Sequence, residues 1–279
     1  MKRREFAAII ASGLSLASGC TGLSSTGNNQ NSSDVFQSYS YERTELVVRF
    51  QDEATVEKAV LVDRTADEQY QTISHPSDSV RFDVVFPDRL ASYISKDLYV
   101  EAKTSDGWVS QWVWEPVHGV AQNIEVQSDG RASFDIHNTG TAPLLVRFVG
   151  MYGNVPNPTV DLQSESFDRG SFELGPGVVG AGRSRPLNPS RTDLVVGPGE
   201  TVPFETIYRP FAFVDGAPDG ACDGTERNGE IGIFHSSGKI ASYTFTYSAS
   251  GGPVAVGGET DEAASQQKVE KCDTVTTSR

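Results

Sequence analysis

Apolar and polar residues alternate with a period of two along much of the chain, and no other feature of the sequence limits the possible folds as strongly. The segment 80–86 reads VRFDVVF, which places Val80, Phe82, Val84 and Phe86 on one side of an extended strand. Successive side chains of a strand point to opposite faces, so this spacing predicts strands with one buried face. Helical periodicity is scarce, and the sequence therefore predicts an all-β fold.

Six segments of this kind precede residue 116, and turn-forming residues separate them. They cover residues 45–51, 58–64, 70–74, 80–86, 98–104 and 107–114. Asp106 and Gly107 favour a tight hairpin between the last two segments, because glycine readily adopts the positive φ that such turns need. The regular spacing of short strands predicts a first immunoglobulin-like β-sandwich over residues 41–116.

A second series of strand-like segments begins at residue 123 and predicts a second β-sandwich over residues 120–279. It contains a Pro- and Gly-rich insertion at 153–199 and ends in a polar C-terminal tail. Loops longer than about 15 residues often carry function, so the insertion either carries a binding role or is a partly ordered loop without one. The predicted fold is thus two tandem immunoglobulin-like β-sandwich domains.

The N-terminal residues have the pattern of a targeting segment. Lys2, Arg3 and Arg4 precede an uncharged stretch, 6–19, that is too short and too rich in Ser and Gly to span a bilayer as a helix. We therefore predict a signal peptide over residues 1–19. Gly, Ser and Asn are frequent in the residues that follow, which predicts a flexible tether over residues 20–40.

Two motifs in this segment resemble known export signals. Arg3, Arg4 and Phe6 stand in a block that resembles the twin-arginine export signal. Residues 16–20, LASGC, resemble a lipobox, whose cysteine receives a diacylglyceryl group. The resemblance implies lipidation of Cys20 and attachment to the outer face of the cell membrane, for which two acyl chains suffice. The alternative is an ordinary secretory signal in which Cys20 is incidental.

The chain is strongly acidic, with 37 Asp and Glu residues against 23 Lys and Arg residues and a net charge of −14. Binding to a phosphate backbone needs clustered basic residues, so the composition argues against a nucleic-acid partner. An acidic excess joined to a twin-arginine lipoprotein signal resembles the exported lipoproteins of halophilic archaea. That resemblance implies an extracellular, lipid-anchored protein and names no activity.

Three cysteines are present, and lipidation of Cys20 would leave Cys222 and Cys272 as a pair. Thiols outside the cytoplasm tend to oxidise. We predict a disulfide between Cys222 and Cys272, which would join the polar tail to the folded body. The alternative is two unpaired thiols.

Trp108, Trp112 and Trp114 fall on one face of a predicted strand. Side chains two positions apart on a strand are separated by nearly 7 Å, which suits a platform on which sugar rings stack. Val109 and Val113 on the opposite face are also apolar, and a buried tryptophan is a common filling of sandwich cores. The row of tryptophans is therefore either a glycan-binding platform or a set of side chains packed in the core or between domains.

Asp215, Asp219 and Asp223 are each followed by glycine and recur every four residues. Carboxylates gathered on a Gly-rich loop are ligands for Ca²⁺, which takes 6–8 oxygens. Asp-Gly pairs are also ordinary turn formers. The loop is thus either a calcium site or a solvated turn, and no other cofactor is expected.

No catalytic residues are assigned, because the four histidines are isolated and no nucleophile motif surrounds a serine or a cysteine. These features predict a cell-surface protein that acts as a binding or envelope-structural module for a protein or glycan partner. The alternative is a secreted hydrolase that uses carboxylates. A concave pocket with two convergent carboxylates would favour the hydrolase, whereas a flat or loop-built surface would favour binding.

Overall fold

A computed structural model describes residues 31–167, 194–206, 208–256 and 269–278. Strands dominate these ranges, which contain one four-residue α-helix, α1 (Ser32–Val35), and one turn of 3-10 helix (Pro87–Arg89). The predicted all-β fold class is confirmed. Within the same ranges no helix combines the length and the apolar character that crossing a bilayer requires.

The strands of the N-terminal half form three antiparallel sheets. They are β1 (Phe36–Glu42), β2 (Glu45–Phe50), β3 (Lys58–Asp63), β4 (Glu68–Ser74), β5 (Ser79–Asp83), β6 (Val85–Phe86), β7 (Ala91–Ser92), β8 (Leu98–Thr104) and β9 (Gly107–Trp112). One sheet has the order β1-β2-β5, a second has the order β4-β3-β8-β9, and β6 pairs with β7. The strand β9 therefore lies at the edge of the four-stranded sheet.

The apolar sides of the two larger sheets contribute to one buried core. Leu46 and Phe82 from the first sheet are fully buried, as are Leu61, Leu98 and Val100 from the second. Burying an aliphatic or aromatic side chain of this size contributes about 1.5–3 kcal/mol. The period-two alternation read from the sequence therefore marks the residues that hold the sheets together.

The segment 80–86 forms two short strands and not the single strand that its alternation predicts. Val80, Phe82 and Val84 are buried as expected. However, the backbone N–H groups of Val84 and Val85 both donate to the carbonyl of Thr44, at 2.9 and 3.0 Å. The chain turns away from β2 at this point, and β6 pairs with β7 instead.

The C-terminal half forms two further antiparallel sheets. Its strands are β10 (Gly119–Val126), β11 (Ala132–Asn138), β12 (Leu144–Gly153), β13 (Val195–Val196), β14 (Thr201–Glu205), β15 (Asp223–His235), β16 (Ile240–Ala255) and β17 (Glu270–Ser278). The sheets have the orders β10-β11-β14 and β13-β12-β15-β16-β17. Phe134, Ile136, Ile231 and Ile233 are among their buried residues. In the described ranges no strand pairing joins this half to the first, and the division into two immunoglobulin-like domains stays a prediction.

The last described residues form a strand, and the prediction of a polar C-terminal tail is wrong for them. The strand β17 pairs with β16 from Ala255↔Glu270 to Thr246↔Ser278. Most of its side chains are polar, but the hydroxyls of Thr246 and Ser278 bond to each other at 2.6 Å. Backbone pairing and such hydroxyl contacts hold an edge strand without the apolar alternation by which strands are recognised.

The predicted disulfide between Cys222 and Cys272 is confirmed. The two Cα atoms are 5.4 Å apart, across a sequence separation of 50 residues. Cys272 lies on β17 and is 1 % exposed, and Cys222 lies just before β15. The bond therefore fastens the edge strand to the loop that leads into the centre of the five-stranded sheet.

The folded body begins before residue 41, so the predicted tether over 20–40 is wrong for residues 31–40. Val35 and Phe36 are buried at 0 % and 5 % exposure, and the ring of Phe36 lies 5.7 Å from that of Phe50. The backbone N–H of Gln51 donates to the carbonyl of Val35 at 2.9 Å. The predicted export and lipidation residues, Arg3, Arg4, Phe6 and Cys20, lie outside the described residues.

The predicted insertion at 153–199 is shorter at both ends, because β12 includes Gly153 and β13 includes Val195 and Val196. In the described part of the insertion, Leu162 and Phe167 join a small apolar cluster on the outer side of the five-stranded sheet, whereas Val155 belongs to the main core. The ring of Phe167 meets that of Phe234 edge to face at 5.6 Å. The rest of the predicted insertion, 168–193, lies outside the described residues.

The two halves meet around a short connection at residues 113–118. The hydroxyl of Tyr39 on β1 donates to Oε1 of Glu115 at 2.8 Å, and the hydroxyl of Thr141 donates to Oε2 of the same carboxylate. Burial, with the nearby Glu115 as a second cause, raises the pKa of Tyr39 to about 12. The carbonyl of Pro116 accepts from the backbone N–H groups of Thr141 and Ala142. Glu115 thus links the first sheet to the loop that follows β11.

Candidate functional site

The strand β9 carries apolar side chains on both faces, and only one face is buried. Val109 is 8 % exposed and Val113, just beyond the strand, is fully buried. On the other side Trp108 and Trp112 are 53 % and 47 % exposed. The interpretation of these two tryptophans as core residues is therefore wrong, and they lie on the outer surface of the four-stranded sheet.

The indole of Trp112 is held in place from two directions. Its Nε1 donates to the backbone carbonyl of Lys96 at 2.8 Å. Its ring stacks on that of Trp114, with centroids 5.7 Å apart and planes inclined by 19°. Trp114 lies beyond the end of β9, so the predicted row of three extends past the strand. These contacts fix the exposed ring before any ligand arrives.

The strands β8 and β3 extend the exposed surface beside β9. Along β8, Tyr99, Glu101 and Lys103 pair with Trp112, Ser110 and Trp108. Along β3, Lys58 pairs with Lys103. We use the name tryptophan face for the surface formed by Lys58, Tyr99, Glu101, Lys103, Trp108, Ser110 and Trp112, together with the adjacent Arg64 and Trp114.

The centre of the tryptophan face is polar and internally bonded. The Arg64 guanidinium donates to Oε1 of Glu101 at 2.9 Å and to Oγ of Ser110 at 2.5 Å. The same guanidinium lies 4.0 Å above the ring centre of Tyr99. Glu101 and Ser110 therefore keep fixed positions between the two exposed tryptophans, with oxygen lone pairs available to a ligand.

The two exposed tryptophans stand at opposite ends of this polar centre. They are four residues apart on a strand, which corresponds to roughly 13 Å. Trp108 lies beside Lys103, whose Nζ forms an ion pair with Oε2 of Glu57 at 3.0 Å. The face thus offers two flat apolar rings separated by hydrogen-bonding groups, which is the arrangement that binds a ligand with apolar ring faces and polar edges.

Several residues of this face were missed by sequence reasoning, although a signal for some of them was present. The hairpin at Ser105 and Asp106 is confirmed, with Thr104 paired to Gly107. Counting back from that turn would have set Lys103, Glu101 and Tyr99 opposite the tryptophan row. Arg64 follows the end of β3, and no local pattern connects it with β9.

The predicted calcium loop does not gather its three carboxylates. Across residues 31–167, 194–206, 208–256 and 269–278, no group of three or more His, Cys, Asp or Glu side chains is placed to hold a metal ion. Asp223 begins β15 and accepts from the backbone N–H of Thr225 at 2.8 Å and from Arg227 at 3.0 Å. The bonds from Thr225, followed by the charge of Arg227, lower the pKa of Asp223. The Asp223 carboxylate thus accepts hydrogen bonds from neighbouring residues of its own strand.

Two cavities in the C-terminal half give no support to carboxylate catalysis. One, of about 320 Å³, lies near the disulfide and is lined by Asp219, Arg227, Tyr247 and surrounding apolar residues. The other, of about 370 Å³, lies between β10 and β17 and is lined by Asn123, Thr277 and neighbouring residues. Asp219 is the one carboxylate in the two linings, whereas the hydrolase interpretation needs a convergent pair.

No family model matches the chain, and a search of curated proteins found no match either. The features that bear on function are therefore the tryptophan face and the residues of the N-terminal segment.

Proposed function

We propose that this chain is an exported, lipid-anchored cell-surface protein that binds glycan through the tryptophan face. The observation that carries the proposal is the pair of half-exposed indoles, Trp108 and Trp112, on one side of an edge strand. Large aromatic side chains that face solvent in fixed positions mark interaction sites more often than chance, because their apolar surface is stabilised when it is covered.

The chemistry of the face suits a sugar chain. Pyranose rings have apolar faces that stack on indoles, and hydroxyl edges that exchange hydrogen bonds. The fixed oxygens of Glu101 and Ser110, between the tryptophans, can accept from such hydroxyls. An exposed sheet surface of this kind suits extended ligands, whereas small substrates are usually enclosed in concave pockets.

The proposed location is supported by two kinds of feature. The twin-arginine block at Arg3, Arg4 and Phe6 and the lipobox ending at Cys20 support export and lipid attachment. The Cys222–Cys272 disulfide is typical of proteins that work in an oxidising compartment. A glycan-binding body on such an anchor would engage the envelope of its own cell or of a neighbouring cell.

Alanine substitution of Trp108 and Trp112 tests the proposal. Wild-type protein is screened against an array of oligosaccharides, and affinities for the glycans bound are measured by titration calorimetry. Each single variant is expected to bind roughly five- to tenfold more weakly, since a lost aromatic contact costs about 1 kcal/mol or more, and the double variant is expected to lose detectable binding.

The control for this experiment is Val254→Ala, which truncates a 36 % exposed side chain on β16 in the other half of the chain. Its affinity should equal that of the wild type. Thermal unfolding of the Trp108→Ala and Val254→Ala variants should be nearly unchanged, because these side chains are exposed. Trp112→Ala should remain folded and melt only a few degrees lower, because it loses the hydrogen bond to Lys96 and the stacking on Trp114. Unfolding of the Trp112→Ala variant, or unchanged glycan affinity in the double variant, would contradict the proposal.

A further inference from the structure

At the Trp108 end of the tryptophan face two lysines lie opposite each other, and their repulsion lowers the stability of the ligand-free protein. Lys58 and Lys103 are direct Cα partners on the neighbouring strands β3 and β8. Their side chains point to the same outer side, because Ala59 and Ala102, the next residues along each strand, are buried in the core. Like charges directly opposite each other in an antiparallel pair repel.

This repulsion is only partly relieved by the protein itself. Lys103 has an ion pair with Glu57, at 3.0 Å, in which both side chains are almost half exposed. Lys58 takes part in none of the ion pairs formed within the described ranges. On the tryptophan face Arg64, Lys58 and Lys103 are balanced by Glu101 alone, and the neighbouring Glu57 pairs with Lys103. One positive charge is left, on a chain whose net charge is −14.

The paired lysines lie in line with an exposed tryptophan. Reading across the sheet, the order is Lys58, Lys103 and then Trp108, each opposite its neighbour on the next strand. A sugar ring stacked on Trp108 would therefore hold a substituent on its edge over Lys103 and Lys58. An anionic substituent there would place a negative charge between the two ammonium groups and offset their repulsion.

We propose that the glycan is acidic, and that a carboxylate or sulfate group of the sugar stacked on Trp108 binds between Lys103 and Lys58. This inference rests on the proposed glycan-binding function and adds the class of sugar. The separation of Trp108 from Trp112 makes the ligand a chain of several sugar units and not a monosaccharide. The single surplus charge and the carboxylates of Glu57 and Glu101 suit a sparsely charged, hydroxyl-rich chain better than a phosphate at every unit, as in a nucleic acid.

The test compares chains of equal length on the same protein. Titration calorimetry at low salt measures affinity for a cello-hexamer with one unit oxidised to a uronate, for the same hexamer with one sulfate ester and for the neutral cello-hexamer, with a single-stranded thymidine hexamer as the nucleic-acid probe. We expect the uronate or the sulfated chain to bind at least roughly tenfold more tightly than the neutral chain, with the tighter of the two identifying the acid group. The advantage should shrink in 0.5 M salt, where the screening length falls to roughly 4 Å.

The variant that isolates the lysine pair is Lys58→Gln with Lys103→Gln. It should lose roughly five- to tenfold in affinity for the acidic chain and nothing for the neutral one. Arg49→Gln, which removes an exposed cation from β2 on the other sheet, is the matched control and should leave both affinities unchanged. In the absence of ligand, Lys58→Gln alone should be at least as stable as the wild type, because the repulsion is removed.

The outcomes separate this inference from the proposed function. Equal affinity for acidic and neutral chains, with binding still lost in the Trp108→Ala, Trp112→Ala double variant, overturns the acidic ligand and leaves glycan binding in place. No binding of any sugar chain overturns both. Tighter binding of the thymidine hexamer than of any sugar chain would assign the face to single-stranded nucleic acid, which stacks on aromatic rings in the same way, and would also overturn both.

Discussion

His235 is a titratable residue whose side chain is almost completely buried. It ends β15 at 3 % exposure, and its Nδ1 lies 2.9 Å from Oγ of Ser237. Burial, followed by the nearby charges of Lys239 and His118, lowers the pKa of His235 to about 4. The unfolded chain would therefore take up a proton at this side chain near pH 6.5, before the folded chain does.

This difference predicts a loss of stability in mild acid. The contribution of His235 is fully present above about pH 6.5 and is lost as the pH falls from 6.5 to 4, because only the unfolded state is protonated in that window. The free energy of unfolding, from urea titrations at pH 7 and pH 4.5, should fall by about 2–3 kcal/mol through this group. His235→Gln should flatten that dependence, whereas the same substitution at the exposed His75 should preserve it. A pH slope that is equal in His235→Gln and wild type would contradict the assignment.

Gly140 occupies a position where no side chain fits. A Cβ there would lie 2.2 Å from the carbonyl oxygen of Pro116, which belongs to the connection between the halves. We predict that Gly140→Ala lowers the free energy of unfolding by about 1–3 kcal/mol or more, because a backbone atom must move. Gly252→Ala is the control, since nothing lies within 4 Å of its added Cβ. Equal urea midpoints for the two variants would contradict the prediction.

At the residue scale the sequence located the tryptophans on one face but could not state which face is buried. Val109 and Val113 are as apolar as the tryptophans, so alternation alone leaves both sides of β9 as candidates for the core. The choice depends on what the opposite sheet brings to the interior, which is a matter of tertiary packing. That is why the exposure of Trp108 and Trp112 had to be read from the structure.

At the scale of elements, strands with an apolar face were predictable and polar edge strands were not. The strand β8 matches the predicted 98–104, and β2 and β3 each match within one residue. The strands β1 and β17 fall largely within the segments that the sequence predicts as a tether and a polar tail, and both lie at sheet edges. Ser, Thr and charged residues predominate in β17, so backbone pairing holds it more than side-chain burial does. In β1 the buried Phe36 and Tyr41 alternate poorly with polar residues and follow a Ser- and Asn-rich stretch, so no clear strand pattern marks it.

The disulfide should matter most to β17. Replacing both Cys222 and Cys272 with serine is expected to lower the free energy of unfolding by about 2–4 kcal/mol, because the open chain regains the entropy of a 50-residue loop. Urea unfolding of wild-type protein with dithiothreitol should reproduce the midpoint of the double variant. Identical urea midpoints for oxidised and reduced wild-type protein would show that the disulfide does not stabilise the fold.

For the whole molecule, the carboxylate of Glu115 connects sheets that share no strand pairing in the described ranges. Glu115→Ala removes the acceptor of both the Tyr39 and the Thr141 hydroxyls, and we expect a loss of about 1–3 kcal/mol, since hydrogen bonds to a charged group are the stronger ones. Glu125→Ala, which removes an exposed carboxylate from β10, is the charge-matched control. Urea midpoints and limited proteolysis between residues 113 and 118 report the effect.

A double-mutant cycle separates this link from simple loss of a side chain. Tyr39→Phe and Glu115→Ala should combine to less than the sum of their separate effects, because both remove the same hydrogen bond. Full additivity, or a Glu115→Ala variant that is indistinguishable from Glu125→Ala, would mean that the hydrogen bonds to Glu115 do not help to hold the two halves together.

The disulfide also bears on the order of events after synthesis. On the proposed twin-arginine route the chain crosses the membrane with its sheets already built, so Cys222 and Cys272 would already be neighbours before they meet an oxidant. Oxidation would then stabilise a protein that is already folded and would not guide its folding. The reduced protein that awaits export would be less resistant to unfolding than the oxidised protein outside the cell.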